Sequence, residues 1–460
     1  MTSRTIPRPP AVTYKQHFRA ILVLGMPLVG SSLAQYLINL TDTVMLGWYD
    51  VTSLAAAVLA TTFWFITFIL GAGFANAVMP MVAAAAAEGD EVRARRVTRM
   101  GLWLSILYTC VALIPLLYGE SIFLAIGQDP EVSALAGDYL TIAAWGLIPA
   151  MAAQALRSFL SALEKTKVIL WITLLSLVLN AIINYALIFG NWGAPEMGIR
   201  GAAVASVLMN VLAMLAIGVY IQIALPEYRL YQRWWKSDGQ IMGQVARIGL
   251  PIGLTSLAEG SLFSASAVLV GWIGALELAA HGIAIQLASM TFMFHLGMSQ
   301  AATIRAGTAL GRRDELALRR GGITAIMVSL AFAAVTVAVF LSFPELLVSA
   351  FIDPTEPARD GLIVVGVGLL AMAALFQLVD AAQVMALGLL RGVQDTAVPF
   401  GMAVISYWVV GMPSSYLLGF TFGFGAVGVW LGLVVGLSVA SLLLMVRFWG
   451  HSVRISLKHG

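Results

Sequence analysis

Three acidic residues stand inside apolar runs long enough to cross a bilayer: Asp42 in INLTDTVM, Glu259 in SLAEGSLF and Asp380 in LFQLVDAAQVM. An ionised side chain at mid-bilayer costs roughly 2.5–3.5 kcal/mol even on lenient scales. No Lys or Arg is read at the same depth to neutralise these three. Each is therefore expected to take up a proton or a small cation rather than serve packing alone. Asn180 and Asn184, in LNAIINYAL, are one turn apart and share a helix face. Their carboxamides suit Na+ as neutral oxygen ligands, or Asp42 as hydrogen-bond partners. Glu259 and Asp380 both fall in the second half of the chain. Two carboxylates in a low-dielectric site do not both stay charged without a cation, so one shared proton, or Na+ with Glu259 and Asp380 as its ligands, is expected there. Gln35 and Asn39, in the same run as Asp42, are expected on the wall of a substrate cavity.

Other chemistry is missing from the sequence. There is no P-loop lysine motif, no HExxH, no GxSxG and no His/Cys cluster, which speaks against an enzyme and against an ATP-driven pump. The one cysteine, Cys110, excludes an intrachain disulfide. His281 and His295 share one run, and His281, near its end, reads as a packing or interfacial residue. No cofactor and no nucleic-acid partner is expected.

The elements that must hold these residues are membrane helices. Of 460 residues 60% are apolar and 11% charged, against about 25% charged in an ordinary soluble protein; the mean hydropathy is +0.91. Continuous rather than alternating apolar runs exclude a β-barrel. Twelve helices are predicted, at about 20–47, 54–82, 98–118, 134–160, 168–190, 200–225, 244–273, 277–304, 322–343, 362–390, 398–420 and 424–446. The first run is too long for a signal peptide and is read as a retained helix. With this count, 24 of the 26 basic residues fall on one side, leaving only Arg200 and Arg359 on the other. By the positive-inside rule both termini are then cytoplasmic, in a multi-pass protein of the cell inner membrane.

The chain also repeats itself. A shift of 224 residues lays Leu24–Arg96 over Ile248–Arg320 with 21 identities in 73 pairs, including VMLGW over VLVGW and DEVRARR over DELALRR. Asp129-Pro130 and Asp353-Pro354 keep the same shift. Six helices per repeat is an even number. The expected fold is thus all-α, with two parallel six-helix lobes related by a pseudo-two-fold axis along the membrane normal. The organisation read is a tail at 1–19, a first lobe at 20–225, a linker at 226–243 with aromatic and basic residues suited to headgroups, a second lobe at 244–446 and a tail at 447–460. Pro27 and Pro251, at matched positions, predict bends. Under the shift Glu259 lies over Gln35 and Asp42 over Ser266, so the acids are not copies of one structural requirement.

The segments GMPLVGSSLAQ…TDTVMLG, MGIRGAAVAS (197–206), LGLPIGLTSLAEGSLF, AAHGIAIQLASMTFMFHLGMSQAATIRAGTALGRRDE (279–315) and ALFQLVDAAQVMALGLLRGVQDT run in order along nearly the whole chain. Together they resemble the multidrug and toxic compound extrusion (MATE) family, close to its NorM-type bacterial branch. The resemblance implies antiport, with lipophilic organic cations leaving as Na+ or H+ enters. It places the family's coupling residues on Asp42, Asn180, Asn184, Glu259 and Asp380. It sets Phe376, one turn before Asp380, in the cavity where relatives usually carry Tyr, so a role for that hydroxyl does not carry over. It implies a monomer among membrane lipids that handles small cationic drugs. The rival within the same superfamily is a flippase for lipid-linked saccharides, which should line its cavity with cations; the buried charges read here are all acidic.

Overall fold

The computed structural model describes residues 13–455; Arg4, Arg8 and Lys458, counted above with the basic side, lie outside the described residues. Twelve helices are long and apolar enough to cross a membrane: α1 (Tyr14–Tyr49), α2 (Val51–Glu88), α3 (Glu91–Leu117), α4 (Pro130–Ala162), α5 (Thr166–Phe189), α6 (Ile199–Ala224), α7 (Gly239–Ile273), α8 (Ala275–Gly311), α9 (Glu315–Ser342), α10 (Arg359–Gly392), α11 (Ala397–Thr421) and α12 (Gly425–Ser452). Each overlaps one predicted run, and no strand occurs among the described residues. The helices form two parallel six-helix lobes, α1–α6 and α7–α12. Pro27 and Pro251 lie inside α1 and α7, both of which continue through them.

Most helices run beyond the apolar stretch that announces them, because polar residues cap their ends. In the repeated DEVRARR and DELALRR, Asp90 accepts the Arg93 N–H at 2.8 Å and Asp314 accepts the Ala317 N–H at 2.9 Å. Glu91 and Glu315 follow in the first turns, where the positive helix end favours an acid. The repeated charged loop is thus a helix cap used twice. The two Asp-Pro pairs part company. Asp129 caps α4, with Pro130 in its first turn, whereas Asp353 accepts from Thr355 N at 2.8 Å and α10 starts only at Arg359. Pro357 disfavours helix at the residue before it, which delays the start.

The two ends of the described chain and most basic loops share one end of the bundle, termed here the basic end. The lobes press together in that half. A Cβ added to Gly249 of α7 would stand 2.7 Å from Phe74 Cα of α2, and one on Gly25 of α1 would stand 2.5 Å from Met298 Sδ of α8. Gly25 and Gly249 are mates under the shift of 224, as are Phe74 and Met298. The interface between lobes is therefore one seam built twice; at Gly249 only glycine lets the backbones come so near, while at Gly25 the close neighbour is the Met298 side chain. The buried cores agree. One core joins the basic halves of α1 and α2 to Ile248 and Ile252 of α7 and Ile304 of α8. Toward the other end the first lobe has a core of its own, and the second lobe's core takes in residues of α1 only in the basic half, Ile21 and Val29, so the lobes splay apart there.

The link between lobes is fastened to α3. Arg99 donates to the Gln232 and Arg233 carbonyls at 2.7 Å each, Trp103 stacks on Trp234, and Arg96 pairs with Asp238, the cap of α7.

Candidate functional site

α1 and α5 lie side by side, with Ser31 Oγ and Thr173 Oγ1 3.0 Å apart deep in their interface. Farther toward the splayed end, Asn180 and Asn184 donate their Nδ2 groups to Oδ1 of Asp42 at 3.0 and 2.5 Å. The i,i+4 spacing on α5 places both amides on one carboxylate oxygen. Asn180 and Asn184 are fully buried. Asp42 is partly open to a cavity of about 700 Å³ and lies on its wall with Gln35 and Asn39. Oδ1 of Asn184 is buried without a partner, so an amide oxygen adjoins the carboxylate. The two N–H donors leave the acid held in place yet still able to accept.

The cavity belongs to the N-terminal lobe. α1, α2, α4, α5 and α6 wall it, and α7 closes one side through Ser256, Gly260, Ser261 and Ser264. Its lining is chiefly apolar and aromatic, Trp64, Phe65 and Phe68 included, which suits lipophilic guests. One lining residue was missed in the sequence. Arg157 of α4 stands on the wall, although the sequence reading places it only among the 24 residues of the basic side. The buried charges are thus not all acidic.

Glu259 and Asp380 lie apart from this cavity, inside the C-terminal lobe. Asp380 is 2% exposed; it and Glu259 act on each other electrostatically. Gln383 of α10 donates to the Tyr407 hydroxyl of α11. Oε1 of Glu259, Oδ1 of Asp380 and Oε1 of Gln383 are all buried without a hydrogen-bond donor. Three unsatisfied oxygens in one buried cluster invite a proton or a small cation. The sequence reading corrects here too, for Arg391 is not remote from the acids. α10 continues to Gly392, and the Arg391 guanidinium lies within electrostatic reach of Glu259. Among the described residues no group of three or more His, Cys, Asp or Glu could hold a metal ion.

Phe376 departs from expectation. It is 3% exposed and packs edge-on against Phe263 and Trp430, each with ring centroids 5.8 Å away. One turn before Asp380 on α10 is the inner face of the C-terminal lobe, not the wall of the cavity. Trp430 also donates to Nδ1 of His281 at 3.0 Å, which makes that histidine a packing residue. His295 is buried against Ser329, Nδ1 to Oγ at 2.7 Å.

Comparisons with known proteins fit this geometry. The MatE family profile matches residues 27–186 and again 251–417. A protein of Rhizobium meliloti described as "Probable multidrug resistance protein NorM" is 46% identical over 447 residues, 96% of each chain. One of the same description from Agrobacterium fabrum is 44% identical over 434 residues, 94% of this chain and 93% of that one. The crystal structure of the eukaryotic MATE transporter AtDTX14 superposes with a TM-score of 0.85 at 19% identity, covering 97% of this chain and 98% of that one, a likeness of fold. With two family matches on the two halves that repeat in sequence, and relatives alike from end to end, the chain belongs to the MatE family as a NorM-like member.

Proposed function

We propose that the protein is a secondary multidrug antiporter of the inner membrane, with both termini cytoplasmic, that exports lipophilic organic cations in exchange for Na+ or H+. The observation that carries this is Asp42, a carboxylate held by Asn180 and Asn184 on the wall of a large, mostly apolar cavity. Apolar walls take up lipophilic guests, and one acid in them favours a cation over a neutral compound. The buried Glu259–Asp380–Gln383 cluster supplies oxygens for the coupling ion, a monovalent one given two carboxylates beside Arg391. Exchange follows if each ion stabilises a different arrangement of the lobes. A flippase for lipid-linked saccharides would need several cations facing its polyanionic substrate, and Arg157 alone is basic on the cavity wall. The relatives' printed description as multidrug resistance proteins supports the same reading.

Reconstitution tests it. Proteoliposomes given a Na+ gradient or a proton gradient, one at a time, are expected to move a cationic dye against its own gradient with one of the two. Asp42→Asn should lower that rate about tenfold or more, since the cation loses its only acidic partner in the cavity. Equal dye flux with no ion gradient, or unchanged coupling in Asp42→Asn, would overturn the proposal.

A further inference from the structure

The cavity wall carries two charged residues of opposite sign, Asp42 and Arg157. They do not neutralise each other. Tyr139 of α4 lies close enough to Asp42 to feel its charge, and Arg157 stands 18 residues farther along the same helix (157 − 139 = 18). That is about 27 Å at 1.5 Å per residue. No other carboxylate meets Arg157 either: no ion pair forms with it among the described residues, and burial is the only influence acting on its charge. Its Nε is buried with no acceptor in reach. One turn earlier on α4, Gln154 also lines the cavity, its Nε2 committed to Asn76 Oδ1 at 2.8 Å.

A half-buried arginine at membrane depth, its Nε enclosed and no counter-charge beside it, is costly unless something supplies one. An arginine serving packing alone would be expected to draw a carboxylate or backbone carbonyls, as Arg99 does. Arg157 instead presents an unmatched fork of donors to the guest volume. We infer that Arg157 forms a second subsite of this cavity that takes the carboxylate of a zwitterionic or anionic organic guest, at the opposite end from the cation-binding Asp42. One guanidinium matches one carboxylate in a two-pronged hydrogen bond. The cavity therefore sorts guests by charge along its length, with cations drawn toward Asp42 and carboxylates toward Arg157.

This inference rests on the transport reading above, and its test separates the two. Rhodamine 6G, an ethyl ester and a cation, and rhodamine 19, its free acid and a zwitterion, share one ring system. Their binding to the purified full-length protein is measured by fluorescence polarisation. Arg157→Gln should weaken rhodamine 19 about tenfold or more and leave rhodamine 6G within about twofold. Arg157→Lys keeps the charge but loses the fork, and should fall between wild type and Arg157→Gln for rhodamine 19. Asp42→Asn should weaken rhodamine 6G; its failure to do so would sink the cation-transport reading and leave the Arg157 result standing. The subsite is refuted if Arg157→Gln shifts both dyes alike or neither. It is also refuted if Arg157→Lys, monodisperse by gel filtration, binds rhodamine 19 no better than Arg157→Gln.

Discussion

Asp42 depends on its two amides for its position, and that dependence is measurable. Asn184→Leu removes one donor and leaves the carboxylate beside an apolar group in a buried interface. A hydrogen bond to a charged partner contributes about 1.5–3 kcal/mol, so affinity for a cationic dye is expected to fall about tenfold or more. Asn184→Ser, which restores a donor on a shorter arm, should recover part of it; equal binding by wild type and Asn184→Leu would remove Asn184 from the site. At this scale the sequence was legible where chemistry is local. An acid within a span and two asparagines four apart can be read as one cluster, and the structure joins them. It was illegible where a side chain's direction decides. Phe376 and Asp380 share a face of α10, and hydropathy does not tell which lobe interior that face meets. Arg157 was illegible for a related reason: the predicted run at 134–160 already contains it, but hydropathy does not tell that its side chain faces the cavity.

Among the elements, helix count and order followed from apolar runs, while the ends followed from caps that apolar runs do not register. Asp238 shows what one cap does. Burial alone would raise its carboxyl, but the Ile241 N–H and the Arg96 guanidinium outweigh that and hold it below the ordinary aspartate range. A depressed carboxyl adds stability above its unfolded value, about 3.9, and loses it as pH falls through the folded one. Asp238→Ala should therefore lower thermal stability at neutral pH by about 1 kcal/mol, the usual worth of an N-cap. Asp238→Asn keeps the cap and loses the ion pair, so it should cost less. Melting curves in detergent should show the gap between wild type and Asp238→Asn closing below about pH 4; a gap that widens there would reverse the sign of this account. The short helices Gly119–Ala125 and Pro344–Ser349 escaped the sequence altogether, since fewer than two turns leave no periodicity to read.

For the molecule as a whole, the repeat predicted two lobes and the glycine seam explains how they meet. The 224 shift aligns Gly25 with Gly249 because both stand where one lobe presses on the other, Gly249 on the Phe74 backbone and Gly25 on the Met298 side chain. Carrying a guest across requires that seam to open. In a Cys110→Ala background, cysteines at Gly25 and Ala301 would place their Cβ atoms 3.5 Å apart, within disulfide range. Oxidation is expected to stop dye export and a reductant to restore it. Full export by a protein shown to be cross-linked would mean that the seam stays shut throughout the cycle.

The acid pair of the C-terminal lobe, Glu259 on α7 and Asp380 on α10, lies away from the cavity wall that carries Asp42. Two ligands at separate places cannot displace each other by contact. Each changes the other's affinity only through the arrangement of the lobes, and by the same factor in both directions. Raising the coupling ion should then weaken dye binding to a plateau, whereas rivals for a single spot would drive it down without limit. The logarithm of the ratio between the two ends of that curve, times RT, is the coupling free energy between ion and guest.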